Sequence, residues 1–234
     1  MTNRRTIRII GWAMAVVVSV VLVACNHDAY NTGDSRYSYL RTDFSKVYTN
    51  ADARLWSAMT DNGDSLLLIT PTTAAWATTP DSVYRALLYY NLQQDEDSTT
   101  VLHRVEAVAV AMVYVLQPHS ATDSLASMTD PVVFQSAWVS SNKQYVNFSL
   151  ALMTGEANVQ DARQTIGLVC DSMKTETQNR HTYYYRLCHR QGDVPQYYKS
   201  TLYVSIPTGP FRQGDRVAVS VPTYDGTVTR VFAW

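Results

Sequence analysis

The side chains best suited to chemistry in this chain are five histidines and three cysteines, and their spacing limits what they could do. His27, His103, His119, His181 and His189 are scattered, and no two stand in the HExxH spacing that aims two ring nitrogens at one metal. No GxSxG elbow, phosphate-binding P-loop or GxGxxG turn occurs. The sequence therefore assigns no catalytic residue, metal ligand or cofactor. His189 lies close to Asp193 in a turn-rich stretch; a structural hydrogen bond across that turn is the plain reading, a ligand or catalytic role the sharper one. Cys170 and Cys188 fall in two strand-like runs, 165–171 and 183–189, joined by a polar loop. In an oxidising compartment they could form a disulfide; the alternative is two unpaired thiols. Asp-Ser followed by an apolar residue or threonine recurs at Ser65, Ser82, Ser98, Ser124 and Ser172. This pattern looks like a bacterial O-glycosylation acceptor, and Ser124, in a small polar stretch, is its most accessible instance. Tyrosines cluster at Tyr89-Tyr90, Tyr183-Tyr184-Tyr185 and Tyr197-Tyr198. Packing on alternate faces of strands is the first reading of these, an aromatic binding platform the second.

The third cysteine, Cys25, is the chemically committed one. Arg4, Arg5 and Arg8 precede an uncharged apolar run, residues 9–23, which is too short to span a bilayer as a helix. The run ends in Leu22-Val23-Ala24-Cys25, which resembles the lipobox of bacterial lipoproteins. Residues 1–24 thus read as a cleaved lipoprotein signal peptide, and Cys25 as the acylated first residue of the mature protein. Membrane lipid, held through that N-terminus, is the first expected partner. Two or three acyl chains anchor far more firmly than one. Asn26, rather than Asp, follows the cysteine and favours the outer membrane over inner-membrane retention. Whether the protein faces the periplasm or the cell surface is left open.

Signal cleavage removes three arginines and no acidic residue, so the mature chain is more acidic than the full chain's net charge of −1. With no basic run anywhere, nucleic acid is excluded as an expected partner. Charged residues are only 17% of the chain, and Val, Thr and Tyr are plentiful, as a half-buried pleated surface favours. Residues 25–40 are polar and read as the lipidated tether. Strand-like runs follow at 44–49, 54–60, 65–70, 82–93 and 99–116, with Asp61-Asn62-Gly63-Asp64 a strong hairpin turn. Five strands in so short a span suit a small closed barrel, residues 41–118. Within the last run, 105–116 is almost wholly apolar and reads as a buried strand. The polar stretch 119–130 reads as a linker. Beyond it, 145–153 and 201–206 alternate cleanly between apolar and polar, and 216–221 with 227–234 form a hairpin around Tyr224-Asp225-Gly226. One buried face per strand predicts a β-sandwich over residues 131–234.

In this order the fragments resemble the NigD-like lipoproteins. Those that carry the likeness are Thr60-Asp61-Asn62-Gly63, Val83-Tyr84-Arg85-Ala86-Leu87, Asp130-Pro131-Val132, Trp138-Val139 and the run 142–150. The last is the His-containing stretch 187–195, followed by Tyr197 or Tyr198. The likeness spans about residues 20–234 and implies an all-β chain: a five-stranded OB-type barrel, then an antiparallel sandwich. The family takes its name from a gene in a bacteriocin operon, and no catalytic residue or cofactor comes with it. A non-enzymatic, membrane-anchored binding or scaffold protein with a protein or glycan partner is the leading expectation. A bacteriocin-associated accessory or immunity-type lipoprotein and an envelope hydrolase with an unrecognised site are the alternatives.

Overall fold

The computed structural model describes residues 39–93, 102–156 and 162–234. The signal peptide, Cys25, His27, Ser98 and nearly all of the tether lie outside the described residues.

Strands β1 (Arg41–Thr49), β2 (Leu55–Thr60), β3 (Ser65–Thr72), β4 (Val83–Leu92) and β5 (Leu102–Met112) close a barrel in the order β1-β2-β3-β5-β4. All neighbours are antiparallel except β3 and β5. The β2–β3 turn works because Gly63 sits at φ 95°, a conformation that an L side chain rarely adopts. Alternation then decides the interior: Leu66 and Leu68 of β3 join Val47, Leu55, Leu88 and Tyr90 inside, while Leu67 between them points out. The Tyr90 hydroxyl satisfies itself by donating to Asp43 Oδ2 at 2.9 Å.

The sandwich follows from β6 (Tyr114–Val115), β7 (Pro118–Ser120), β8 (Val133–Val139), β9 (Tyr145–Thr154), β10 (Thr165–Thr175), β11 (His181–Arg190), β12 (Tyr198–Pro207), β13 (Arg216–Thr223) and β14 (Gly226–Ala233). One sheet runs β14-β13-β11-β10-β7, the other β6-β12-β9-β8. Phe148, Leu150, Leu168, Leu187, Ile206 and Val219 are fully buried between them. The architecture is thus all-β, an OB-type barrel followed by a sandwich. The sandwich is not purely antiparallel, because β11 and β13 run parallel, as do the short pairs β7–β10 and β6–β12.

Two expectations need correcting. Residues 119–130 are not a free linker. β7 pairs with Leu168–Cys170, and Ser124–Ser127 form a 3₁₀ turn capped by the Asp123 side chain. Leu125 of that turn packs on Gly167, where a Cβ would collide with it. Thr129 then bridges to His189. Backbone pairing needs no apolar side chains, which is why this polar stretch looked unstructured. The passage between barrel and sandwich comes earlier, at Val113. Its N–H donates to the Arg85 carbonyl of β4, and the next residue, Tyr114, already pairs with Val204. The run 105–116 is accordingly two strands in two layers, and Glu106, Ala109 and Ala111 in it are exposed.

Barrel and sandwich belong to one compact unit, Leu40–Trp234, and a buried arginine joins them. Arg85 points outward from β4, away from the barrel core, yet is buried by the sandwich. Its Nη1 and Nη2 donate to Asp61 Oδ1 and Oδ2, both at 2.6 Å. Nε donates to Ser205 Oγ at 3.3 Å, and Nη2 reaches Asn147 Oδ1 at 3.4 Å. The Tyr145 ring lies 4.1 Å from the guanidinium carbon, and Phe44 packs edge-on against Trp138 and Tyr203. Asn142 also donates to Asp61 Oδ1. Four of the fragments that carried the sequence resemblance therefore meet at one junction: that signature holds two domains together.

Candidate binding groove at one end of the sandwich

A mismatch in strand length opens a groove at one end of the sandwich. β8 begins at Val133 opposite Ala151, whereas β9 runs on to Thr154, paired there with Tyr198 of β12. Just before β8 the chain still belongs to the other sheet, where the Val132 N–H donates to the Pro222 carbonyl. The last three residues of β9 are thus left without β8 beside them. Glutamine amides fill in for the missing strand: Gln164 and Gln191 Nε2 both donate to the Met153 carbonyl, at 2.6 and 2.9 Å. Gln191 also donates to the Val194 carbonyl.

Between this open corner and the tip of the β13–β14 hairpin lies a cavity of about 490 Å³, within the range of small-ligand sites. Val132, Phe134, Met153 and Val228 supply apolar lining; Gln196, Lys199, Tyr224 and Asp225 supply polar lining. The Tyr224 hydroxyl donates to Gln196 Oε1 at 3.3 Å, linking the hairpin tip to the segment before β12. Among the described residues neither Lys199 nor Asp225 has an ion-pair partner. Arg230 lies 4.7 Å over the Phe134 ring. An inward-facing cation on the terminal strand β14 also guards that free sheet edge against pairing with other chains. The lining has no histidine, cysteine or serine. Its chemistry suits holding a ligand that has an apolar body and polar ends.

The residues singled out from sequence lie elsewhere. Cys170 and Cys188 are unbridged, and the register explains why. Cys170 faces Tyr185, whereas Cys188 faces Gly167. The first therefore points toward the core with Leu168 and Tyr185, and the second to the opposite face of the same sheet. Burial pushes both thiols above their usual pKa, which disfavours the reactive thiolate. Ser124 is exposed at the start of the 3₁₀ turn, its Oγ donating to Asp123 Oδ1 at 3.3 Å.

His189 is fully buried, and among the described residues neither ring nitrogen has a hydrogen-bond partner. The expected hydrogen bond across the turn is not made by the ring. The His189 backbone pairs instead with the segment before β8, its N–H donating to the Met128 carbonyl and its carbonyl accepting from the Asp130 N–H. Burial pushes the imidazole pKa down, against a weaker opposing pull from Asp130, so the ring is neutral. His119 contacts Asp123 at the surface, 3.2 Å away. No group of His, Cys, Asp or Glu among the described residues could hold a metal.

The tyrosine clusters divide as strands require. Tyr183 and Tyr185 pack inward near Phe211, while Tyr184 turns out beneath Lys174. Tyr197 and Tyr198, both exposed, stand in sequence between Gln196 and Lys199 of the groove. With the Tyr224-Asp225-Gly226 turn and the Asp130-Pro131-Val132 fragment, they were the sequence signals near it.

No protein-family model and no curated protein matches this chain. Solved structures do. A NigD-like immunity protein from Bacteroides caccae superimposes with a TM-score of 0.63 at 20% identity, over 84% of this chain and 94% of that one. A protein of unknown function from Bacteroides vulgatus gives 0.60 at 14% identity, over 83% and 90%. A candidate lipoprotein from Bacteroides fragilis gives 0.56 at 10% identity, over 82% and 96%. The resemblance read from the sequence is thus borne out at the level of the fold.

Proposed function

We propose that this chain is a NigD-like accessory lipoprotein of the cell envelope, anchored in the outer membrane through acylated Cys25. It acts by binding a partner, not by catalysis. The observation that carries this reading is the groove: an apolar lining beside Lys199 and Asp225, neither of which has an ion-pair partner among the described residues. A groove with convergent polar groups is the usual form of a binding site, and its lining has no histidine, cysteine or serine. The fold shared with a candidate lipoprotein and an immunity protein supports the envelope setting. Ser124, exposed beside Asp123, is the proposed glycan acceptor; native protein without hexose-sized mass increments would count against that.

The test is a photo-crosslinking residue in place of Thr227, which lines the groove, activated in intact cells. A discrete adduct that disappears when Val133→Trp fills the cavity supports the reading; an adduct indifferent to that substitution contradicts it. A second reading, immunity to a bacteriocin, draws on the immunity protein of the same fold. It predicts that deleting the gene sensitises cells to a toxin encoded beside it.

A further inference from the structure

Strand β2 breaks its own alternation at one residue. Leu55 and Ala58 both point into the barrel although three positions apart, and both ladders of β2 slip between them. Against β1 the register shifts between Tyr48 and Thr49, and against β3 between Leu55 and Ser57. Against β1 the extra residue is Trp56, whereas against β3 residues 68–71 stand opposite it. A bulge of this kind re-aims a side chain, and here it turns a tryptophan that alternation would bury out to solvent, 42% exposed.

The register shows what stands around it. Met59 pairs with Ser65, and Ser65 with Leu102; Ser57 pairs with Leu67, and Leu67 with Arg104. Paired residues share a face, so Met59, Leu67 and Leu102 lie with Trp56 on the outer surface of three adjacent strands. Ile69 continues the β3 row. Met59 is 43% exposed, Leu102 47% and Ile69 39%. The polar members of these rows are two serines and, at the β5 edge, Arg104 and Glu106. The outer wall of a sheet facing water ordinarily alternates to polar residues.

We propose that this Trp56 face rests on the phospholipid surface of the membrane in which the chain is anchored. The inference rests on the anchor at Cys25 proposed above. Only sixteen peptide units separate Cys25 from Arg41, a reach of at most about 55 Å when fully extended. The barrel is the domain next to that anchor, so a face with modest affinity for lipid meets it at high effective concentration. The chemistry also fits. Aliphatic side chains around a tryptophan, with a cation at the rim, match a bilayer interface. A saccharide would instead call for planar hydrogen-bonding side chains around the tryptophan, and these rows offer them only at the β5 edge, as Arg104 and Glu106. Because Arg85 joins barrel and sandwich, seating the barrel would also fix the direction in which the groove faces.

The test uses the acylated protein purified from membranes and reconstituted in phosphatidylethanolamine–phosphatidylglycerol vesicles, with and without brominated acyl chains. The Trp56 share of the emission is isolated by difference from Trp56→Phe. That share should fall at least two-fold in brominated vesicles. It should recover in the double variant Met59→Asp, Leu102→Asp, with vesicle binding and the near-ultraviolet circular dichroism unchanged. Vesicle-bound protein with unquenched Trp56 overturns the proposal and leaves the anchor standing. Protein that does not associate with vesicles at all overturns the anchor, and the inference falls with it. Trp56 shielded from aqueous iodide in native envelopes but untouched by brominated lipid means that another protein covers the face, which also overturns it.

Discussion

Replacing Arg85 with alanine should be among the most damaging single substitutions in the folded unit, and its size follows from the geometry. The guanidinium makes two charge-assisted hydrogen bonds of 2.6 Å to Asp61, each worth about 1.5–3 kcal/mol. The arginine side chain is 1% exposed and that of Asp61 12%, so water screens the pair little. Removing one partner of a buried pair typically costs about 3–5 kcal/mol, because the other charge is stranded. Asp61 keeps the Asn142 contact and some solvent, which places the expected loss near the lower end, about 3 kcal/mol. The contact with the Tyr145 ring adds about 1 kcal/mol. Urea unfolding of the non-acylated protein, followed by tryptophan fluorescence, reads this directly. Wild type should unfold in one transition; Arg85→Ala should lower the midpoint and separate barrel from sandwich into two. Arg85→Lys, which keeps the charge and loses the fork, should fall between. A loss under about 1 kcal/mol for Arg85→Ala, far below the range for a broken buried pair, would refute the claim that this arginine joins the domains.

Further outcomes can be checked more briefly. His189→Leu should stabilise the protein by about 1–2 kcal/mol at pH 7, because it removes a buried polar ring without partners. Below the ordinary histidine pKa of 6.5 the unfolded chain takes up a proton that the buried ring resists, so the histidine costs the fold further stability as pH falls. The advantage of the variant in chemical denaturation should therefore widen from pH 7 to pH 5; a constant gap would contradict the burial argument. Cys170 and Cys188 should both alkylate after unfolding without reductant, and a protected pair would show that the sheet register is wrong. Cys25→Ser should abolish palmitate labelling of the full-length protein, and label persisting in that variant would remove the anchor from the account.

The sequence was informative wherever one side-chain row decides the answer. Alternation in 145–153 set out β9 to within one residue, that in 201–206 the inner part of β12, and the Asp61-Asn62-Gly63 turn located the β2–β3 hairpin. It was uninformative where backbone alone pairs. β7 and the 3₁₀ turn after it are polar, and nothing in their side chains tells a strand over a sheet from a linker. It was also silent where distant segments converge. Asp61, Arg85 and the run holding Asn142 and Asn147 appeared as separate fragments of a likeness, and only the fold reveals them as one hydrogen-bonded junction. The groove was harder still. Val132, Met153, Lys199, Asp225 and Val228 come from separate stretches of chain and share no motif, and the opening exists because β8 starts three residues short of the end of β9. The cysteine pair failed for a related reason: neighbouring strands were read correctly, but a one-sided pairing depends on register, which spacing alone does not give.

The most direct test of the account is hydrogen–deuterium exchange on the lipoprotein in outer-membrane vesicles, compared with the same protein purified in detergent. If the groove is where the protein works, amides in 131–135 and 223–228 should exchange more slowly in the native membrane, while the interior strands β9 and β11 are unchanged. Equal exchange at those two segments in both states would contradict a partner-binding groove and leave the proposed function without its site.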